Sequence, residues 1–458
     1  MDKRRKNKLI LFSEIIINIA GLALIYLIIW FIYYRYSLNS PFLYKKGTAI
    51  LIFIYAVLYF VFTKIYGGHR IGDLRVSEII YSQVLSVIFL NVITFLQICL
   101  IDRRVVAIKP IIIMSVLDFI FIVIWSFWCN KRFQKRNIAK EITVIYENSV
   151  PHSLIAKMKC YDYKFRITKV INTEGGYDEI IKKIDKTHGL VLCEIEPNIQ
   201  RKILKYCFEN SIKTYLIPNV EDIILRGSSI VNLLDMPLFL CNTGGISMFD
   251  EIFKRIFDIV LSLFACILFS PIMLITALFI KIEDKGAVIF KQKRLTVNGK
   301  EFYVYKFRSM IVDAEKDGIA RLAQNNDSRI TNVGKVIRML RIDELPQLFN
   351  ILKGDMSIVG PRPERPEIAC QYEEFIPEFS YRLKVKAGLT GYAQVLGRYN
   401  TTPYDKLMWD MMYIENYTFF LDLKLIMMTI KILFMPESTQ GLEKSETIAG
   451  KKTENINL

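Results

Sequence analysis

Two adjacent carboxylates, Asp343-Glu344, stand in a stretch crowded with cations. Ahead of them lie Lys306 and Arg308, within Tyr303-Val304-Tyr305-Lys306-Phe307-Arg308-Ser309-Met310, and then Arg338 and Arg341 in a helical run. Behind them, Gly354-Asp355-Met356-Ser357 leads to Gly360-Pro361-Arg362-Pro363, a loop stiffened by glycine and proline around an arginine. A carboxylate in so positive a setting can hold Mg²⁺ or attack phosphorus to form an acyl phosphate. Planar guanidinium groups can meanwhile grip phosphate oxygens with two bonds each. Only three histidines occur, His69, His152 and His188, so any chemistry beyond residue 188 proceeds without one. The structural alternative is that Asp343 merely caps a helix starting at Glu344–Pro346, with proline in its first turn. Residue type and spacing reach a phosphate-handling site at a membrane surface and leave both readings of Asp343 open.

The elements that must position this cluster begin with the composition. The 458 residues are 52% hydrophobic and 13% aromatic, which excludes a disordered chain, because enough apolar surface exists to offset ordering entropy. With 23% charged residues as well, the mixture fits membrane segments joined to soluble parts. A net charge of +16 points to anionic lipid, phosphate or nucleotide partners, and no nucleic-acid partner is expected. Eight cysteines form no CxxC pair, so neither a zinc site nor a disulfide framework is signalled.

Four hydrophobic runs precede residue 130: Leu9 to Tyr34, Thr48 to Thr63, Ile79 to Ile101 and Pro110 to Trp128. They predict a four-helix transmembrane region over residues 1–136, the second run being short for a hydrocarbon core of about 30 Å. The first run is too long for a cleaved signal peptide and lacks a small-residue cleavage pattern. Residues 1–8, 64–78 and 131–140 hold thirteen Lys and Arg against six in the alternate loops at 35–47 and 102–109. That asymmetry predicts a multi-pass protein of the bacterial plasma (inner) membrane, with soluble domains and both termini cytoplasmic. Glu14 and Asp118 lie within the runs, and helix packing is preferred over an ion path for them.

Over residues 141–245, strand-like runs (Ile142–Tyr146, Phe165–Ile171, Gly189–Cys193, Ile212–Ile217) alternate with helical stretches at Tyr177–Lys186 and Glu196–Asn210. This predicts a small doubly wound parallel sheet, an α/β Rossmann-like domain. A dinucleotide site needs glycines at the first strand-to-helix turn, yet that turn reads Tyr146-Glu147-Asn148-Ser149-Val150-Pro151. The domain is therefore taken as degenerate, with a scaffold, dimerisation or regulatory role.

Ile259 to Ile280 is a nearly unbroken apolar run with Ser270-Pro271 at its midpoint. Proline removes a helix hydrogen bond and bends the axis. Cations flank both ends: Lys254 and Arg255 before, then Lys281, Lys285, Lys291, Lys293, Arg294, Lys300, Lys306 and Arg308 after. A full crossing would place these last eight outside, so residues 251–282 are expected to form a re-entrant membrane helix that breaks at Ser270 and Pro271. A true fifth span is the alternative. Asn298-Gly299 marks a hairpin turn. Residues 283–435 are read as the catalytic domain, ending in interfacial helices over Tyr404 to Met435, and polar residues 436–458 as a flexible tail.

Four ordered motifs carry a resemblance. Lys306-Phe307-Arg308-Ser309-Met310, Asp343-Glu344-Leu345-Pro346-Gln347-Leu348, Gly354-Asp355-Met356-Ser357 through Pro361-Arg362-Pro363, and Gly388-Leu389-Thr390-Gly391 resemble the bacterial sugar transferase family. These are monotopic polyprenyl-phosphate phosphoglycosyl transferases that initiate exopolysaccharide, capsule or O-antigen synthesis. The match covers about residues 251–435, and the four spans with the degenerate α/β domain resemble the family's long members.

The resemblance implies a mixed α/β, mostly helical monotopic catalytic domain. It also implies transfer of a sugar phosphate from a UDP-sugar to polyprenyl (undecaprenyl) phosphate, releasing UMP. In that scheme Asp343 is the nucleophile and a Mg²⁺ ligand, and Glu344 is its catalytic partner. Arg338, Arg362, Lys306 and Arg308 hold phosphates. A homodimer is plausible for the long members.

Three positions depart from the family pattern. Ala387 stands where proline is common, Tyr392 where tryptophan is frequent, and Leu295-Thr296-Val297 where glycine is usual. These touch loop shape and sugar preference. The competing function is a non-catalytic membrane scaffold or regulator of polysaccharide assembly; a nucleotide-sugar epimerase or dehydratase lacks its glycine fingerprint here, and a polytopic transferase needs more spans.

Overall fold

A computed structural model describes residues 3–35, 37–38, 46–136, 140–148, 150–159, 164–184, 189–241, 244–311, 327, 329–397 and 401–433. The predicted tail at 436–458 lies outside them. The chain is mostly helical and divides after Ile217 into two compact units.

The first unit opens with four long helices, α1 (Lys3–Ile29), α2 (Lys46–Tyr66), α3 (Val76–Asp102) and α4 (Lys109–Arg136). At 1.5 Å per residue, the 21 residues of α2 reach about 30 Å, so the run that looked short is extended by flanking residues to spanning length. Apolar side chains such as Phe53, Val92, Leu96, Phe119 and Ile124 face outward. The interior instead holds polar groups: Tyr59 Oη donates to Asn18 Oδ1 (2.6 Å), and Asn91 Nδ2 donates to Asp118 Oδ2 (3.1 Å) and Ser115 Oγ (2.9 Å). Glu14 pairs with Arg132 at 3.4 Å. An apolar exterior around interhelical hydrogen bonds is how helices associate in lipid, and it gives both acids a packing role.

A parallel sheet follows, with strands in the order β2-β1-β3-β4: β1 (Lys140–Tyr146), β2 (Phe165–Asn172), β3 (Gly189–Cys193) and β4 (Lys213–Leu216). Helices α5 (His152–Lys159), α6 (Gly176–Ile184) and α7 (Pro197–Glu209) connect them. The central β3 is buried along its whole length, as expected of an apolar strand covered on both faces. Beyond β1, the Glu147 carboxylate accepts the backbone N–H of Glu196 at the start of α7. A helix N-terminus that could hold an anionic ligand is thus occupied by the chain's own acid. Lys164 pairs with Asp73 at 2.6 Å, tying the sheet to the α2–α3 connection. That contact puts the basic 64–78 loop and the sheet at the same end of the bundle.

The second unit starts with α8 (Val220–Gly227) and an antiparallel hairpin, β5 (Ser229–Leu233) with β6 (Met236–Leu240). Then comes α9 (Met248–Asp284), 37 residues without interruption. Where the sequence leads one to expect a break, helical backbone continues through Pro271. Its missing N–H leaves the Ile267 carbonyl without the usual donor, and Ser270 Oγ supplies one at 2.8 Å. Most of α9 is apolar and exposed, but Lys254, Asp258 and Ser262, spaced four apart, are buried against the rest of the unit.

A second hairpin, β7 (Ile289–Leu295) with β8 (Glu301–Phe307), turns at Asn298 and Gly299, both at positive φ (57° and 72°), as their types predict. The remaining elements are α10 (Asn332–Met339), α11 (Gln347–Lys353), β9 (Ser357–Val359), α12 (Pro366–Phe375), β10 (Gly388–Thr390), α13 (Tyr392–Leu396), α14 (Pro403–Glu415) and α15 (Phe419–Leu433). Strands β9 and β10 pair in parallel. Their core gathers Leu348, Ile351, Met356, Phe379, Leu407, Met411 and Leu425, together with Val220 and Ile223 of α8.

Candidate functional site

Asp343 and Glu344 sit on a single 3₁₀ turn, Ile342–Glu344, wedged between α10 and α11. The turn is entered through Arg341 in the left-handed region (φ 53°), which costs a non-glycine residue roughly 1–2 kcal/mol. Helix α11 is preceded by Pro346 in the cap position, without a side-chain cap bond. Asp343 therefore lies outside the cap position of α11.

Glu344 is the acid that collects cations. Its Oε1 lies 3.3 Å from Lys306 Nζ and 3.0 Å from Arg362 Nη2, and its Oε2 lies 3.8 Å from Arg341 Nη1. Burial alone would lift its pKa, but the charges of Arg362, Lys306 and Arg341 outweigh burial and hold it well below the usual carboxylate range. Asp343 makes no hydrogen bond or ion pair among the described residues. Burial first, and then the negative charge of Glu344, push its pKa up to about 6, against the pull of Lys306, Arg338 and Arg362. Two neighbouring acids are thus driven apart, one a fixed counterion and the other unengaged. Burial also lowers the Lys306 ammonium, although Glu344 opposes the shift.

Three supports hold this geometry, and two of their residues, Asn350 and Arg382, were not singled out from sequence. Asn350, fully buried on α11, donates to Tyr303 O (2.8 Å) and accepts Tyr305 N–H (2.9 Å). Its amide takes the place of a neighbouring strand along β8 and so fixes Lys306 opposite Glu344. Replacing Asn350 with leucine should lower stability by about 2–4 kcal/mol, since two backbone groups lose their partners. Thermal unfolding of the purified protein measures it.

The loop carrying Arg362 is held along its backbone. Gly360 N–H donates to Thr390 O and Gly388 N–H to Pro361 O, while Arg382 Nη2 donates to Arg362 O and Arg294 Nη1 to Pro363 O. Arg382 is buried and pairs with Asp410 at 2.7 Å. Burial lifts the Asp410 carboxyl to about 6 even against that arginine. At Gly388 an added Cβ would lie 2.1 Å from Gly360 N, so only glycine permits the two backbones to approach this closely.

The third support explains two departures from the family pattern. Ala387 N–H donates to Thr296 Oγ1 (3.2 Å), and Thr296 Oγ1 donates to Asp355 O (2.9 Å). A proline at 387 has no N–H to give. Alanine at 387 and threonine at 296 therefore work as a pair.

Of the cations singled out from sequence, Lys306, Arg338 and Arg362 act on the two acids. Arg308, one residue beyond β8, is not among the largest charge influences on either acid. Ser270 and Pro271 belong to α9, apart from this cluster in the chain. Among the described residues no group of three or more His, Cys, Asp or Glu gathers as a metal cage. Mg²⁺ needs no such cage, because it commonly uses one or two carboxylates together with substrate phosphates and water. The unengaged oxygens of Asp343 fit that donor set, whereas those of Glu344 are already taken up by cations.

Comparison with known proteins matches the stretch that contains this cluster. The family described as bacterial sugar transferase matches residues 249–436, which contain every residue of the cluster. The chain is 46% identical over 183 residues to a UDP-N-acetylgalactosamine-undecaprenyl-phosphate N-acetylgalactosaminephosphotransferase of Aeromonas hydrophila, covering 39% of this chain and 43% of that protein. It is 35% identical over 297 residues to a UDP-glucose:undecaprenyl-phosphate glucose-1-phosphate transferase of Klebsiella pneumoniae, covering 63% and 61% respectively. The matched stretches thus span about half the length of these two relatives. A Caulobacter vibrioides protein with the same glucose-1-phosphate transferase description is 38% identical over 190 residues, 40% of this chain and 71% of its own length. With its acid pair, cation cluster and glycine contacts all inside the matched stretch, the chain belongs to the bacterial sugar transferase family.

Proposed function

We propose that the protein transfers a sugar phosphate from a UDP-sugar to undecaprenyl phosphate at the inner membrane, through a phosphosugar carried on Asp343. The observation that carries this reading is the division of labour between the two acids. Glu344 is neutralised by Lys306, Arg362 and Arg341, while Asp343 is left unengaged in a positive field.

In the first step an Asp343 carboxylate oxygen bonds to the sugar-linked phosphorus of the UDP-sugar. The bond from that phosphorus to the bridging oxygen breaks, and UMP leaves with the electron pair. In the second step a phosphate oxygen of undecaprenyl phosphate bonds to the same phosphorus, the acyl phosphate bond breaks and the Asp343 carboxylate is restored. Splitting the transfer lets a soluble and a lipid substrate use one site in turn.

Arg338 makes no ion pair among the described residues and its charge lowers the Asp343 pKa, which supports a role in meeting substrate phosphate. Arg362 and Lys306 are preorganised by Glu344 and spread positive charge over the substrate diphosphate as UMP departs. Asp343 would hold a Mg²⁺ ion, which when bound would supply charge neutralisation for the anionic substrate. The two relatives named above differ in sugar, N-acetylgalactosamine in one and glucose in the other, so the sugar is left open.

Among the described residues, five helices are long and apolar enough to cross a membrane, α9 among them. We place α9 as a re-entrant element and both termini on the cytoplasmic side, from the basic flanks of the spans; the preceding sheet is then a degenerate Rossmann-like domain. Protease access to a tag after Leu458 in sealed inside-out and right-side-out vesicles tests the placement. A tag cleaved only from the periplasmic side overturns it.

The reaction is tested by incubating purified protein and undecaprenyl phosphate with a panel of UDP-sugars and measuring UMP. One or two sugars should release UMP in a lipid-dependent manner, and chelation with EDTA should cut that rate by at least about 100-fold, restored by Mg²⁺. Lipid-independent silence with every UDP-sugar returns the protein to the scaffold class.

A further inference from the structure

Two segments of chain meet where Glu344 contacts Arg362 at 3.0 Å, and each is fastened to the first turns of α9. The first segment is the acid turn with α11, a rod of about 10 Å whose last carbonyls have no helical donor. Arg255 supplies donors for two of them, Nη1 to Ile351 O (2.5 Å) and Nη2 to Leu352 O (2.8 Å).

The second segment is β9 and the loop that follows it. Strand β9 pairs along one edge only, with β10, where Ser357 N–H donates to Ala387 O and Gly360 N–H to Thr390 O. Ile358 N–H is directed to the other edge, where no strand lies among the described residues. Asp258 Oδ1 accepts it at 3.1 Å, from a side chain only 4% exposed. A carboxylate thus stands in for a neighbouring strand, and an ionised acceptor holds an N–H more strongly than a carbonyl does. Arg362 follows four residues after Ile358, so their Cα atoms are within about 14 Å.

The base of α9 is itself tied down. Lys254, one turn before Asp258, is buried and donates to Asp422 of α15 and to Tyr413 Oη of α14 (3.1 Å). Tyr413 Oη in turn donates to Asp422 Oδ1 (2.8 Å). Lys254 and Arg255 read in the sequence as flanking charge that sets topology, yet both are engaged inside the fold.

We infer that Asp258 and Arg255 are positioning residues of the acid site. Asp258 acts through β9 on Arg362, Arg255 acts through α11 on Glu344, and the base of α9 sets the contact between the two. This inference rests on the transfer reading above and names groups outside the cluster on which its charge geometry depends. Without Asp258 the Ile358 N–H is left buried without a partner, and a shift of β9 toward another acceptor carries Arg362 away from Glu344.

The test is a double-mutant cycle on kcat/KM for UMP release by the full-length protein in nanodiscs with undecaprenyl phosphate. Asp258→Ala should lower kcat/KM about tenfold, and Asp258→Asn, which keeps an acceptor oxygen, should restore most of it. In an Arg362→Ala background, Asp258→Ala should change the rate less than about twofold, because the group it positions is already gone. Asp258→Glu, which keeps the charge and displaces the acceptor, takes the place of the alanine variant in the cycle if that variant does not fold. Arg255→Met should likewise lower kcat/KM alone and lose its effect in a Glu344→Gln background. Losses that multiply in a cycle, equal losses with asparagine and alanine at 258, or unchanged rates overturn the positioning role. Wild-type protein that releases no UMP is a separate failure, because it removes the transfer reading itself.

Discussion

Asp343→Asn should abolish turnover: UMP release from a UDP-sugar is expected to fall by at least about 10³-fold, while the protein unfolds at or near the wild-type temperature. The amide keeps the shape of the acid but lacks the anionic oxygen that the proposed first step bonds to phosphorus. Because Asp343 makes no hydrogen bond or ion pair among the described residues, its replacement leaves no described partner stranded. The expected signature is thus loss of chemistry without loss of structure. A trapped phosphosugar adduct in the wild type should map to Asp343 by mass spectrometry and vanish in the variant. Retained activity in the variant, or an adduct at another residue, ends the nucleophile assignment.

Glu344→Gln acts through the field. Three cations lose their counterion, and breaking a buried charge cluster by removing one partner costs about 3–5 kcal/mol. The pH dependence changes in a defined direction. Asp343 must be ionised to attack, and with its pKa raised to about 6 the rate of the first step falls as pH drops through about 6. Burial is the first cause of that elevation and the Glu344 charge the second. Removing the second cause, and freeing Lys306 and Arg362 to act on Asp343 alone, lowers its pKa. The acid limb of the rate profile should therefore move to lower pH in the variant, and the maximal rate should fall because the cations now engage the nucleophile. Rising Mg²⁺ should move the wild-type limb the same way, since metal and proton compete for one carboxylate. A limb that stays near 6 in the variant contradicts the coupling of the two acids.

The supports around the pair show why local sequence cannot expose them. Arg382 contains no hint of its task, which is to hold the carbonyl of Arg362, 20 residues away. Asn350 reads as one more polar residue of a short helix, yet its amide completes the edge of β8. Ala387 and Thr296 read as two unrelated departures, and the fold joins them through one hydrogen bond across 91 residues. At Ser270-Pro271 the residue types foretold a weak point in the helix, but the serine hydroxyl answers the lost bond and the helical backbone goes on. In each case the partner arrives from elsewhere in the fold, or from one turn back along a helix, where no periodicity marks it.

Periodicity and composition alone were enough to mark out the four N-terminal helices, the strands of the parallel sheet, the Asn298-Gly299 turn and the residue types able to handle phosphate. These follow from local physics: burial of continuous apolar surface, backbone preferences at glycine and asparagine, and the chemistry carried by each side chain. What only the tertiary structure decided is which of two adjacent acids gathers the cations. Glu344 and Asp343 are indistinguishable as neighbours in a sequence. They differ because Lys306 comes from a strand 38 residues earlier and Arg362 from a loop 18 residues later, and both reach the same carboxylate. A charge has no fixed role until its neighbours are placed, because its free energy is set by burial and by the distances to other charges, and folding alone supplies those distances.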